Sequence, residues 1–434
     1  MREIKIGIIG LGTVGTGVMK ILSCEGTRLQ KHSGVRFTVK RVADLDITRD
    51  RGIQIEPEIL TTDAKKIIDD EEIEVVVELI GGCEPAKSYI LGAIQKGKHI
   101  VTANKALLAC HWEEIQDRAK EHGVEILLEG AVGGGIPIIR SITSLLTSNK
   151  IRSIFGIING TCNYILATMA KEGRNFDEAL QRAREKGYAE ADPSLDIEGV
   201  DTAHKLVILA SLAFKGGVTL KDVYVEGISK ITPQDILYAR EEFGHCIKLL
   251  GVAKEWEDTL EIRVHPTMIP ENHPLSDVDG VNNAIYLEGD NVGSLIFSGQ
   301  GAGQMPTASS VVSDLVSLAQ RIDRPSNHPL ISDVEPRKKV RPIKELKTKY
   351  YVRFTTLDQP GVLAAISSTL AKYRISIASV IQKERGPEGP VPIVMLTHEA
   401  EEESMVRAIS EIDRLEIVKA ETLLIRCEEM TTTN

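Results

Sequence analysis

Along the first third of the chain, short apolar runs alternate with glycine-marked turns and helical stretches. Ile4 to Ile9 reads as a buried strand entering Gly10-Leu11-Gly12-Thr13-Val14-Gly15, and Val18, Met19, Ile21 and Leu22 then repeat at helical spacing. Val39 to Ala43, Glu74 to Ile80, His99 to Thr102 and Glu125 to Leu128 read as further strands with helices between them. Such β-α alternation predicts an α/β fold with a Rossmann-type nucleotide-binding domain. From about Lys150 the pattern changes to strands over Ser153 to Ile158, Leu260 to Pro266, Asn283 to Glu288 and Val292 to Ser298. Helices run from Asn163 to Glu172 and from Asn175 to Lys186, the second opened by an Asn175/Glu178 capping box, and an α+β domain results. The glycine loop Gly299 to Ala308 precedes an apolar helix, Ser309 to Ala319, expected to return to the nucleotide domain.

The basic, proline-bearing run from Glu335 to Lys347 reads as a linker. Beyond it come a strand (Lys349 to Leu357), a turn at Asp358-Gln359-Pro360-Gly361, a helix (Val362 to Lys372) and strands Ile375 to Gln382 and Val391 to Thr397 about a turn at Gly386 to Gly389. A helix over Ser404 to Arg414 and an edge strand over Thr422 to Cys427 complete a βαββαβ module. The expected division is a dinucleotide-binding domain over 1–148, a substrate-binding and dimerisation domain over 149–300, a return segment over 301–335, a linker over 336–348 and a regulatory module over 349–434.

In the opening motif Gly10 makes the tight turn, Gly12 lets a pyrophosphate approach the backbone, and Gly15 lets helix and strand pack closely. The amides that open the helix at Thr13 and Val14 face the phosphates. Asp44, ending the second strand, is placed to accept the ribose hydroxyls, which favours NAD; Arg41 and Arg49 lie close enough in sequence to hold a 2′-phosphate, which leaves NADP open. The spacing from Gly15 to Asp44 is stretched by the polar segment Glu25 to Gly34. Lys105, after a strand that ends at Thr102, points toward the cofactor side. Glu129 to Pro137 is too rich in glycine for a strand or helix interior, which suits carbonyls exposed to a ligand or cation and equally suits a flexible hinge. Gly301 and Gly303, in the second glycine loop, are expected to line the cleft.

Gly187 to Ala210 sets Glu190, Asp192, Asp196, Asp201 and Lys205 against an apolar helix, where unpaired charges are costly without partners or a ligand. Asp201 and Lys205 share a helical face. Asp192, before Pro193, reads as a cap or turn, and His204 as a packed histidine. Six scattered cysteines form no zinc spacing and read as reduced thiols; Cys162, in the Asn-Gly-Thr-Cys-Asn turn, reads as a small buried residue. At 434 residues the length suits about three domains, and the net charge of -10 argues against nucleic acid or an anionic membrane as partner. The chain enters a strand directly at its start, so no signal peptide and a cytoplasmic location are expected.

Gly-Leu-Gly-Thr-Val-Gly, Thr-Ala-Asn-Lys, Glu-Gly-Ala-Val-Gly-Gly-Gly-Ile-Pro, Asn-Gly-Thr-Cys-Asn-Tyr-Ile-Leu, Gly-Tyr-Ala-Glu-Ala-Asp-Pro through Lys205, and Gly-Ala-Gly-Gln-Met-Pro-Thr-Ala occur in order along nearly the whole chain. With them the sequence resembles homoserine dehydrogenase of the long bacterial type, with a C-terminal ACT domain carried by the Asp358-Gln359-Pro360-Gly361-Val362-Leu363 turn. The resemblance implies an oxidoreductase that interconverts L-homoserine and L-aspartate 4-semialdehyde with NAD or NADP, in threonine, methionine and isoleucine biosynthesis. It further implies Lys205 as proton donor, Lys105 between cofactor and substrate, and Glu190, Asp196 and Asp201 in the substrate pocket. Backbone carbonyls of Glu129, Val132, Gly134 and Ile136 are implied to form a monovalent cation (Na or K) site. ACT modules of this kind pair across subunits around an amino acid, which makes threonine the expected effector and a homodimer or homotetramer the expected assembly. No kinase region precedes Met1, so a fusion with aspartate kinase is not expected. The alternative is an amino-acid and nucleotide sensor without turnover; the presence of both Lys105 and Lys205 favours the enzyme.

Overall fold

The structure is a computed structural model in which residues 2–322, 337–383 and 389–430 are described. The chain forms two compact units, Met1–Ile158 with Ala203–Val223 and Asn282–Lys338, and Asn159–Thr202 with Tyr224–Val281 and Lys339–Asn434.

In the first unit, strands Leu60–Thr61, Val35–Ala43, Arg2–Ile9, Val75–Glu78, His99–Thr102 and Ile126–Leu127 lie side by side in that order as a six-stranded sheet. All its pairings are parallel. The order reverses at the opening strand, which is the switch point where doubly wound sheets hold nucleotides. Ile4, Ile6, Ile8, Val75, Val77 and Val101 are buried in its core, as apolar strands covered on both faces require. The polar segment Glu25 to Gly34 is no inserted loop: it extends the opening helix to Thr13–Ser33, closed by Gly34 in the left-handed conformation. The late apolar helix begins at Gln304, earlier than its hydrophobic pattern suggests, because Pro306 falls in the first turn where its missing N–H costs nothing. Ala308, Val311, Leu315 and Leu318 of this helix join the core of the parallel sheet, and a Cβ on Gly17 of the opening helix would meet Gln304 O at 2.7 Å. Ile151–Ile157, Asn282–Gly289 and Gly293–Gln300 form an antiparallel sheet in the same unit.

In the second unit His245–Trp256 and Thr259–Pro270 form a long antiparallel hairpin. The C-terminal module packs Val362–Lys372 and Glu402–Ile412 on strands ordered Val418–Cys427, Lys347–Thr356, Val391–Thr397 and Ile377–Ile381, with Tyr350, Phe354, Ile366 and Met405 buried. Val418–Cys427, expected at an edge, instead lies between Lys347–Thr356 and Thr259–Pro270, so that the module continues the hairpin's sheet. Part of the expected linker is also built in: Lys339–Val340 pairs with Thr259 and Leu260, and Leu346 is buried. Glu335 and Pro336, and most of the turn read at Gly386 to Gly389, lie outside the described residues.

Candidate active site

In the first unit the three glycines of the opening motif differ in surroundings. A Cβ on Gly15 would stand 2.1 Å from Gly10 O, whereas one on Gly12 would meet nothing within 4 Å. The turn is therefore closed where strand meets helix and open where a phosphate would approach. Gly10 has φ +102, and its N–H donates to Ala43 O at 2.8 Å. Asp44 grips the same turn, accepting from Leu11 N at 2.6 Å. Its other oxygen accepts from Arg51 Nη2 at 3.1 Å, and Arg51 Nε donates to Leu11 O at 2.7 Å. Arg51 is thus the cation beside Asp44. Arg41 instead lies 3.8 Å from Asp70, and the backbone carbonyl of Arg49 accepts from Arg51 Nη1 at 2.9 Å.

Glu78, fully buried where its strand ends, accepts from Thr102 Oγ1 at 2.7 Å, Ile80 N at 2.9 Å and Asn104 Nδ2 at 3.4 Å. Burial pushes its carboxyl up, and these bonds oppose the rise. Asn104 caps the helix that Lys105 opens, its side chain accepting from Leu107 N at 3.1 Å, and Lys105 is half-buried there. Glu78 therefore fixes the Ile80 turn and the cap beside Lys105 together. The Glu129-to-Pro137 loop folds back on the second glycine loop, a Cβ on Gly134 falling 2.6 Å from Gly301 O. Gly134 O accepts from Ser310 Oγ at 2.6 Å and Ile136 O from Ile138 N at 2.8 Å. Glu129 and Asp314 are buried side by side, Glu129 N donating to Asp314 Oδ2 at 2.8 Å, and burial with the Glu129 charge pushes Asp314 up to about 7.

Lys205 is 8% exposed and donates from Nζ to Ile158 O at 2.7 Å, which fixes the ammonium inside the first unit. It lies one turn after Asp201 in the helix Val200–Ala213. In the second unit, Asp201, 7% exposed, and half-buried Asp196 are brought to one amide: Asn159 Nδ2 donates to Asp196 Oδ1 at 2.6 Å and to Asp201 Oδ2 at 2.9 Å. Glu190 and Asp192 are exposed, so the cost of burying charge falls on Asp196, Asp201 and Lys205 alone. Asp192 forms a turn, accepting from Ser194 N at 3.1 Å, and Cys162 is buried with Sγ 3.1 Å from Asp196 O. His204 is half-buried.

Residues 137–316 match the family model described as homoserine dehydrogenase, 10–129 that of the homoserine dehydrogenase NAD binding domain, and 350–417 that of the ACT domain. Homoserine dehydrogenase of Synechocystis is 44% identical over 98% of this chain and 99% of its own. That of Pseudomonas aeruginosa is 42% identical over 99% of this chain and 100% of its own.

The chain belongs to the homoserine dehydrogenase family.

The crystal structure of a homoserine dehydrogenase from Thiobacillus denitrificans superposes with a TM-score of 0.94 at 42% identity, covering 99% of each chain. A hyperthermophilic archaeal homoserine dehydrogenase in complex with NADPH covers 73% of this chain and 97% of its own, with a TM-score of 0.63 and 26% identity. The protein is therefore an oxidoreductase with homoserine dehydrogenase activity, a nicotinamide cofactor and a C-terminal ACT domain. Among the described residues no helix is long and apolar enough to cross a membrane. Sequence reasoning passed over Arg51, Glu78 and Asn159; a single carboxylate ending the apolar run Val75-Val76-Val77-Glu78 is the one local signal among them.

Proposed function

We propose that Lys205 is the proton donor of this homoserine dehydrogenase and that Lys105 stands between cofactor and substrate. The observation that carries this reading is the burial of Lys205 with its ammonium held at 2.7 Å by Ile158 O. When bound, the nicotinamide supplies the hydride that reduces the aldehyde carbon of L-aspartate 4-semialdehyde. The aldehyde oxygen then needs a proton, which Lys205 gives; in homoserine oxidation the same amine takes it back. Asp196, Asp201 and the exposed Glu190 receive the substrate ammonium, since paired carboxylates are a matched site for a cation. Carbonyls of Glu129, Val132, Gly134 and Ile136 hold Na or K, and Gly10, Gly12, Thr13, Val14, Gly15, Gly301 and Gly303 border the cofactor. NAD is favoured through Asp44, and NADP is admitted because Arg51 offsets the Asp44 charge. Threonine acts at the ACT domain of a homo-oligomer in the cytoplasm.

Cofactor reduction at 340 nm with L-homoserine tests the assignment. Turnover by wild type should fall at least a thousandfold in Lys205→Ala, on the order of 4 kcal/mol of transition-state stabilisation. An unimpaired variant refutes Lys205 as the acid. Equilibrium binding of labelled L-threonine to the full chain should saturate in the millimolar range or below; no binding there removes threonine as the effector.

A further inference from the structure

We infer that Asn159 is a positioning residue for the substrate, a neutral clamp that holds the Asp196 and Asp201 carboxylates together without cancelling their charge. The inference rests on the reading of those carboxylates as the ammonium site. Asn159 is 4% exposed and caps the helix Gly160–Glu172, its Oδ1 accepting from Cys162 N at 2.8 Å. That bond settles which end of the amide is which, because only the oxygen can accept from an N–H. Both hydrogens of Nδ2 are thereby turned to the carboxylates, at 2.6 Å from Asp196 Oδ1 and 2.9 Å from Asp201 Oδ2.

The two acids come from different elements, Asp196 from the short helix Ser194–Ile197 and Asp201 from the first turn of Val200–Ala213, so something must bring them to one point against their repulsion. A lysine or arginine would do so and would remove the negative charge that an ammonium ligand needs. A neutral amide bridges them and adds no positive charge of its own. The cap itself has little freedom: a Cβ on the next residue, Gly160, would stand 2.8 Å from Val281 O. Cys162 Sγ, 3.1 Å from Asp196 O, ties the same turn to the backbone of the short helix.

Two substitutions separate clamping from capping. Asn159→Asp and Asn159→Ser both keep an oxygen able to cap the helix, and both lose the amide hydrogens. In each, KM for L-homoserine should rise about tenfold or more, the usual scale for a lost hydrogen bond to a charged group. KM for the nicotinamide cofactor should stay within twofold. The Ki of 4-hydroxybutanoate, which has the carboxylate and hydroxyl of homoserine but no ammonium, should also stay within twofold of wild type. Homoserine KM unchanged in both variants overturns the inference, and so does a KM that rises in step with the Ki of the amine-free analogue. If Asn159→Asp does not fold, Asn159→Ser decides alone. Wild type whose homoserine KM does not differ from the Ki of the analogue refutes the ammonium site itself, and the clamp with it.

Discussion

Cofactor choice is decided at the scale of single side chains. A bare carboxylate ending the second strand would repel a 2′-phosphate, but Asp44 is shared between Leu11 N and Arg51, so its charge is partly neutralised. Arg51 also holds Leu11 O, which makes it both a buttress of the glycine turn and a cation paired with Asp44. Replacing Arg51 by Gln should raise KM for both cofactors, modestly for NAD and by about tenfold more for NADP, since only the phosphorylated ribose loses an ion pair. Initial rates with each cofactor measure the two changes. Equal losses would show that Arg51 serves the turn alone. Neither arrangement could be read from spacing: Arg41 and Arg49 are nearer in sequence to Asp44, and a side chain's aim is set by the fold of the loop that carries it. The burial of Lys205 and Asp201 was legible because an apolar helix advertises any charge on it. Asn159 was not, because an asparagine before glycine reads as a turn whatever else its amide binds.

At the scale of elements, the glycine turn offers a paired test. Gly15→Ala places a methyl 2.1 Å from Gly10 O, a backbone atom that cannot rotate aside, so strand and helix must separate. A loss of about 1–3 kcal/mol or more in stability is expected, read as a lowered unfolding midpoint. Gly12→Ala has open space and a negative φ, so stability should change little while cofactor KM rises steeply. A Gly12 variant with normal cofactor KM would remove the phosphate from this turn. Five strands of the parallel sheet were legible from apolar runs between glycines, and His99–Thr102 falls where those runs place it; the two-residue strand Leu60–Thr61 was too short to leave such a run. His245–Trp256 escaped notice because Ile247 to Ala253 is buried on both faces and so lacks the alternation that marks a strand. Pro233–Phe243 escaped too, although Thr232 and Asp235 form a capping box that the sequence displays. The central place of Val418–Cys427 could not be seen at all, since its partners begin at Lys347 and Thr259 and nothing local records them.

At the scale of the molecule, the second unit joins its ACT module to its hairpin through buried charge. Arg263 on the hairpin binds Glu261 and reaches Glu428 just past the last strand, while Lys254 Nζ donates to Glu428 Oε2 at 2.7 Å. Arg426 likewise binds Glu402 within the module and Glu226 outside it, the latter at 2.8 Å. Burial pushes the Glu428 carboxyl up, but the Arg263 and Lys254 cations outweigh it and hold the group at about 2, below its ordinary 4.5. A carboxyl whose folded pKa is depressed contributes stability above its unfolded pKa and loses it as pH falls through the folded value. Glu428 should therefore contribute about 3 kcal/mol near neutral pH, declining below pH 4.5 and gone near pH 2. Denaturant midpoints at pH 6 and pH 3 measure the decline, and Glu428→Gln should flatten it. Arg263→Met is the sharper variant, because it leaves Glu261 and Glu428 buried without their guanidinium, a loss on the order of 3–5 kcal/mol. Equal acid sensitivity in wild type and Glu428→Gln would mean that this ion cluster does not hold the module to its unit.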